Sequence, residues 1–216
     1  MSTPVAAARD LDREWWLRTV AVLGRPRSVF EALRDDDSEE AAAARQEPLL
    51  AVLWLAGIAG VLMTTAAAHV LDDYSVDGLV LAVWAFIAGG LYGGAGYWLA
   101  GAAVFVGLRG AESPAPSYRG ARHVLGLAAV PLALSLAVWP VRLAIYGSDL
   151  FRSGGSDSGA GDTFFRALLL AFAAWSIGLL VVGIRTTERW SWRRSLASVA
   201  LGAAVLGLFG AVPFVL

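Results

Sequence analysis

Apolar residues gather into five long runs, 49–70, 79–108, 124–145, 164–184 and 196–216, with polar residues between and ahead of them. The first run is twenty-two residues. As a helix rising 1.5 Å per residue it reaches about 33 Å, enough to cross a hydrocarbon core of about 30 Å. The second run is longer and has length to tilt or to extend past one interface. Ahead of the runs, Leu11, Trp15, Trp16, Thr19, Val20, Val22 and Leu23 recur near a helical period, with Asp10, Asp12, Arg13, Glu14 and Arg18 on the other side. Such a helix is too short and too charged to span. Its paired tryptophans suit the headgroup level of a membrane; the alternative is a helix packed on a partner or on the bundle. Pro26 fits the first turn of a second helix whose apolar face is Val29, Phe30 and Leu33. The acidic stretch 35–40 follows, then a short alanine-rich helix capped by Ser38 and a linker ending at Pro48. The pattern predicts an all-α protein: a cytoplasmic N-terminal region (1–48) with amphipathic helices and an acidic linker, then a polytopic membrane bundle of five transmembrane helices (49–216).

Arginine placement orients the bundle. Seven arginines precede the first run, and the 71–78 loop has none. The 109–123 loop has three, the 147–163 loop one and the 185–195 loop four. Alternate loops are therefore arginine-rich, which predicts a cytoplasmic N-terminus and an external C-terminus in the plasma membrane. Trp190 and Trp192 suit the inner aromatic belt, and Tyr74, Tyr146 and Phe164 the outer one. The N-terminus has no apolar core of a cleaved signal peptide.

The second run holds six glycines in the thirteen residues from Gly89 to Gly101: Gly89, Gly90, Gly93, Gly94, Gly96 and Gly101. In water each would weaken a helix by about 1 kcal/mol relative to alanine. In a bilayer the backbone has no alternative to internal hydrogen bonds, and small residues let helices approach closely. At about 100° per residue these glycines occupy an arc of roughly 160°, opposite Trp84, Ile87, Leu91 and Trp98. The face is read as ordinary packing within the bundle, with a dimer seam or a thin-walled substrate path as the functional alternative; a homo-oligomer or another membrane protein is the partner this allows. Pro131 and Pro140 mark bends in the third run.

Polar chemistry inside the runs is sparse. His69, Asp72, Asp73 and Arg142 fall near one depth at the outer end, as interface anchors or as a polar cluster for protons or lipid headgroups. His123, beside Arg122 at the inner boundary, is read as positional. The chain has no cysteine and two histidines, and no acidic residue lies mid-run. It therefore carries no metal-ligand cluster, no phosphate loop leading to a lysine and no nucleophile elbow. Neither an enzyme nor a cofactor is expected. With a net charge of −1 and no basic stripe, nucleic acid is not an expected partner; the lipid bilayer is.

Three features together resemble the Yip1 domain family of five-span membrane proteins. They are Pro26-Arg27-Ser28-Val29-Phe30 before the first run, the glycine-rich second run, and the basic stretch Ser117 to Leu125 leading to Pro131. The resemblance implies five membrane helices behind a cytoplasmic N-terminal region. Eukaryotic relatives act in vesicle trafficking and bind Rab-type GTPases, but the Asp-Leu-Tyr-Gly-Pro type segment they carry is missing, so GTPase binding is not transferred. Two functions are consistent with this reading: a non-enzymatic scaffold or adaptor that organises membrane proteins, or a small transporter, permease subunit or lipid-handling protein.

Overall fold

The computed structural model describes residues 4–36, 38–64, 67, 69–72, 77–152 and 159–211. The regular structure among them is helical: α1 (Pro4–Ala21), α2 (Pro26–Asp35), α3 (Glu39–Leu62), α4 (Gly78–Gly110), α5 (Tyr118–Ala128), α6 (Val130–Ser135), α7 (Val138–Tyr146), α8 (Ala160–Glu188) and α9 (Trp192–Ala211), with 3-10 turns at Val70–Asp72 and Gly147–Phe151. Helix α1 begins at Pro4, ahead of the periodic residues that mark it in the sequence.

The linker predicted up to Pro48 does not form. Ser38 caps α3, accepting from the Ala41 N–H at 3.2 Å, and the helix then runs unbroken through Pro48 to Leu62. Proline removes one backbone bond. Here it is fully buried, and the alanines before it are strong helix formers, which hold the helix together. At its other end α3 stops short of the predicted Val70. The Thr64 hydroxyl turns back to the Val61 carbonyl (2.7 Å) and accepts from the Ala67 N–H (3.3 Å), a local alternative to helical bonding.

The long elements close into a ring. Helix α4 packs between α3 and α9; α9 touches α8, α8 touches α5 and α6, and these return to α3. The third apolar run breaks at Ala129 and again after Ser135, leaving Pro131 in the first turn of α6 and Pro140 in the first turn of α7. Each proline thus sits where its missing N–H costs least. Among the described residues, four segments are long and apolar enough to cross a membrane: Glu39–Leu62, Gly78–Gly110, Tyr118–Tyr146 and Ala160–Glu188. The fifth run forms α9, which lies outside those four; residues 212–216 are beyond the described part.

Candidate functional site

The glycines of α4 meet different neighbours along its length. Gly89 faces the backbone of Ile58, Gly90 the Trp54 ring and Gly93 the Leu53 carbonyl, all on α3. Gly57 of α3 answers them, since a Cβ there would overlap the Gly89 carbonyl oxygen. Trp54 seals the edge, donating from its indole N–H to the Phe86 carbonyl at 3.2 Å. Gly101 instead accommodates the Arg122 stem, whose guanidinium lies 4.0, 4.7 and 5.0 Å from the rings of Trp98, Tyr118 and Tyr97. Gly94 and Gly96 face open space. Farther along, Gly107 abuts the Ser198 carbonyl and Gly202 the Ala103 carbonyl, so α9 runs antiparallel to α4 at backbone distance.

At the arginine-rich end, α1 and α2 are built into the bundle. Trp15 is 1% exposed and lies between two guanidinium groups, Arg18 at 4.7 Å and Arg45 at 4.8 Å. Phe30 is fully buried against Gly183 of α8. Trp15 and Phe30 fill the protein interior, facing α3 and α8, which is the alternative of a helix packed on the bundle. Trp16 and Trp192 remain exposed, while Trp190 is buried under Arg194. Pro26 opens α2 as predicted. Arg34 pairs with Asp35 (2.7 Å) and donates to the Thr186 carbonyl on α8 (3.3 Å). This bond holds the exposed Asp35 carboxyl below its ordinary value.

Between these elements lies a half-open cavity of about 170 Å³. Arg34, Arg45, Ser117, Gly120, His123 and Glu188 supply its polar wall, and Leu33, Val104 and Ile184 part of its apolar one. Arg45, 2% exposed, donates to the Asp36 carbonyl at 2.8 Å. The Glu188 carboxylate accepts from the Ser113 hydroxyl at 2.7 Å. Arg194 straps the adjoining loop, donating to the Ala111 and Glu112 carbonyls at 2.7–2.9 Å. Sequence reasoning had no means of assembling this wall, whose residues come from α2, α3, α8 and the start of α5.

At the opposite end, His69 Nδ1 lies 3.6 Å from Asp72. Arg142 is 8% exposed and donates to Asp162 at 3.1 Å, and Asp162 also takes Arg166 at 2.6 Å. The Arg142 guanidinium stacks near Trp139 (5.2 Å) and Phe165 (5.7 Å). Arg142 is therefore a buried member of an ion pair, with a partner that the sequence reading did not name. Its partner Asp162 was hidden in the predicted loop; the early start of α8 at Ala160 brings it in. Asp73 and Tyr74 lie outside the described residues.

A family model of the Yip1 domain matches residues 20–212, nearly the whole chain. The chain belongs to the Yip1 domain family. A search of curated proteins and a search of solved structures returned no match. The matched region begins within α1 and ends beyond α9, so it takes in α2, the glycine seam, the cavity and the broken third run. Together with its membrane-length helices, the Yip1 domain makes this a membrane protein in contact with the bilayer.

Proposed function

We propose that this Yip1 domain protein is a non-enzymatic, five-span scaffold of the plasma membrane. Its N-terminus and arginine-rich end face the cytoplasm and its C-terminus lies outside. The carrying observation is the fixed docking of α1 and α2 on the bundle, which leaves Trp16, Leu17 and Val20 exposed on one side of α1. A rigidly held apolar face beside a basic membrane end suits the inner headgroup layer and the assembly of other membrane proteins there. Helix α9 supports the fifth span: twenty residues reach about 30 Å, and it runs antiparallel along α4.

The glycine face supplies the test. A leucine at Gly93 would collide with the α3 backbone, whereas one at Gly94 or Gly96 enters open space. If α4 also serves as an oligomer seam, Gly96→Leu abolishes a chemically cross-linked oligomer in native membranes while the thermal midpoint stays unchanged. Gly93→Leu lowers the midpoint itself. Recovery of a monomer alone, with no membrane protein co-purifying after mild solubilisation, would sink the scaffold reading.

One observation favours a second reading, lipid handling. An apolar groove of about 460 Å³ opens beside the bend of the third run, walled by Leu134, Val138, Val141, Phe164, Phe165 and Phe172. It has room for part of an acyl chain, and Arg142 lies on the same helix as Val141. Reconstituted vesicles would be assayed for lipid and solute movement; rates equal to protein-free vesicles exclude it.

A further inference from the structure

We propose that the cavity at the arginine-rich end is a binding site for a single phosphate group, held by Arg34, Arg45 and His123 at the N-terminus of α5. Three observations converge on it. Two guanidinium groups line the wall, and each is anchored through a backbone carbonyl: Arg34 to Thr186 and Arg45 to Asp36. Such anchoring uses part of the five-donor fork and leaves its direction fixed. His123 is 6% exposed, lines the same cavity, and makes no side-chain hydrogen bond among the described residues. Its ring nitrogens keep contact with solvent through the cavity, so an incoming acceptor takes the imidazole N–H without displacing a protein partner. Third, Ser117 and Gly120 place the first turn of α5 in the wall, so the positive end of an eleven-residue helix contributes to the field.

Size and charge narrow the ligand. A volume of about 170 Å³ is room for roughly five waters, well under the 300 Å³ or more of a drug-sized pocket. A phosphate with its immediate substituent fits; a whole nucleotide does not. Asp35 already pairs with Arg34 and Glu188 also lines the wall, so the wall holds little net charge. Recognition rests on directed N–H donors from Arg45, His123 and the first turn of α5, a set that suits one phosphate group and leaves a polyphosphate under-neutralised. Phosphate of this kind reaches the site either as a lipid headgroup or as a soluble ion, and the two share the same recognition chemistry. The site stands independently of the scaffold reading, since it needs no protein partner.

Gly120 provides the decisive variant. A Cβ there meets only Ser117, at an ordinary 3.6 Å, so Gly120→Asp is accommodated. It also places a carboxylate in the first turn of α5, where a negative charge favours the helix. The same carboxylate occupies the cavity wall and repels an anion. The full-length chain would be placed in phosphatidylcholine nanodiscs and the imidazole signals followed by NMR, with His69→Gln leaving His123 as the one histidine. Inorganic phosphate is titrated in one arm; in the other, phosphatidic acid replaces part of the nanodisc lipid. A saturable His123 shift with phosphatidic acid alone identifies a headgroup site, and one with inorganic phosphate identifies a soluble ligand. Gly120→Asp weakens either response at least about tenfold, the effect of opposing like charges, and Gly120→Asn retains it. No His123 shift in either arm, or Gly120→Asp binding as tightly as the native chain, overturns the proposal.

Discussion

Single residues in this protein act through what their side chains leave out as much as through what they contribute. Gly57, Gly89 and Gly93 allow two backbones to meet where any Cβ would collide. Phe30 does the reverse, filling the space that Gly183 leaves open. Emptying a buried site of that size costs on the order of 3–5 kcal/mol. The exposed Arg34–Asp35 pair is a smaller matter but has a definite sign. Because the Asp35 carboxyl is held below its ordinary 3.8, the pair contributes to stability above that value and its contribution is lost as pH falls beneath it. Asp35→Asn therefore flattens the acid limb of a thermal-midpoint profile below pH 3.8 and leaves the profile's shape near neutrality unchanged, as differential scanning fluorimetry would read.

At the scale of elements, the helices show what periodicity can and cannot reveal. The arc of glycines on α4 was legible because a single helix fixes the angles between its own residues. Which neighbour each glycine meets was not, since α4 is thirty-three residues long and passes α3, α5 and α9 in turn. Pro48 misled for another reason. Proline marks a helix end in a solvated chain, whereas burial and flanking alanines carry α3 through it. Asp162 shows a third limit: a polar loop composition concealed the first turn of α8. That turn joins α7 to α8 through Arg142, and the consequence is measurable. Asp162→Asn removes a charge facing a buried arginine, while Arg166→Ala removes an exposed one. The thermal midpoint falls by several degrees in the first variant and by less than half as much in the second; equal falls would contradict the assignment of Arg142 as the buried partner.

The whole molecule is a ring of long helices, and the arginine counts along the chain predict which end of it faces the cytoplasm. The cavity at that end was not legible, because Arg34, Arg45, Ser117, His123 and Glu188 share no local pattern. Topology offers the clearest test at this scale. With α9 as a fifth span, a reporter fused after Leu216 responds as an external domain and one fused before Met1 as a cytoplasmic domain. Two cytoplasmic readings would leave four spans and return α9 to the arginine-rich side.

The docking of α2 on α8 also sets a clock on biosynthesis. Arg34 and its acceptor Thr186 are 152 residues apart in the chain, and Phe30 waits for Gly183. At 5–20 residues per second, roughly 8–30 s separate the translation of the two surfaces. Through that interval the apolar side of α2 has no native groove to enter. A nascent chain therefore carries Val29, Phe30 and Leu33 uncovered while α3 to α7 are being made. Helix α2 is thus made before the membrane bundle and reaches its final place only after α8.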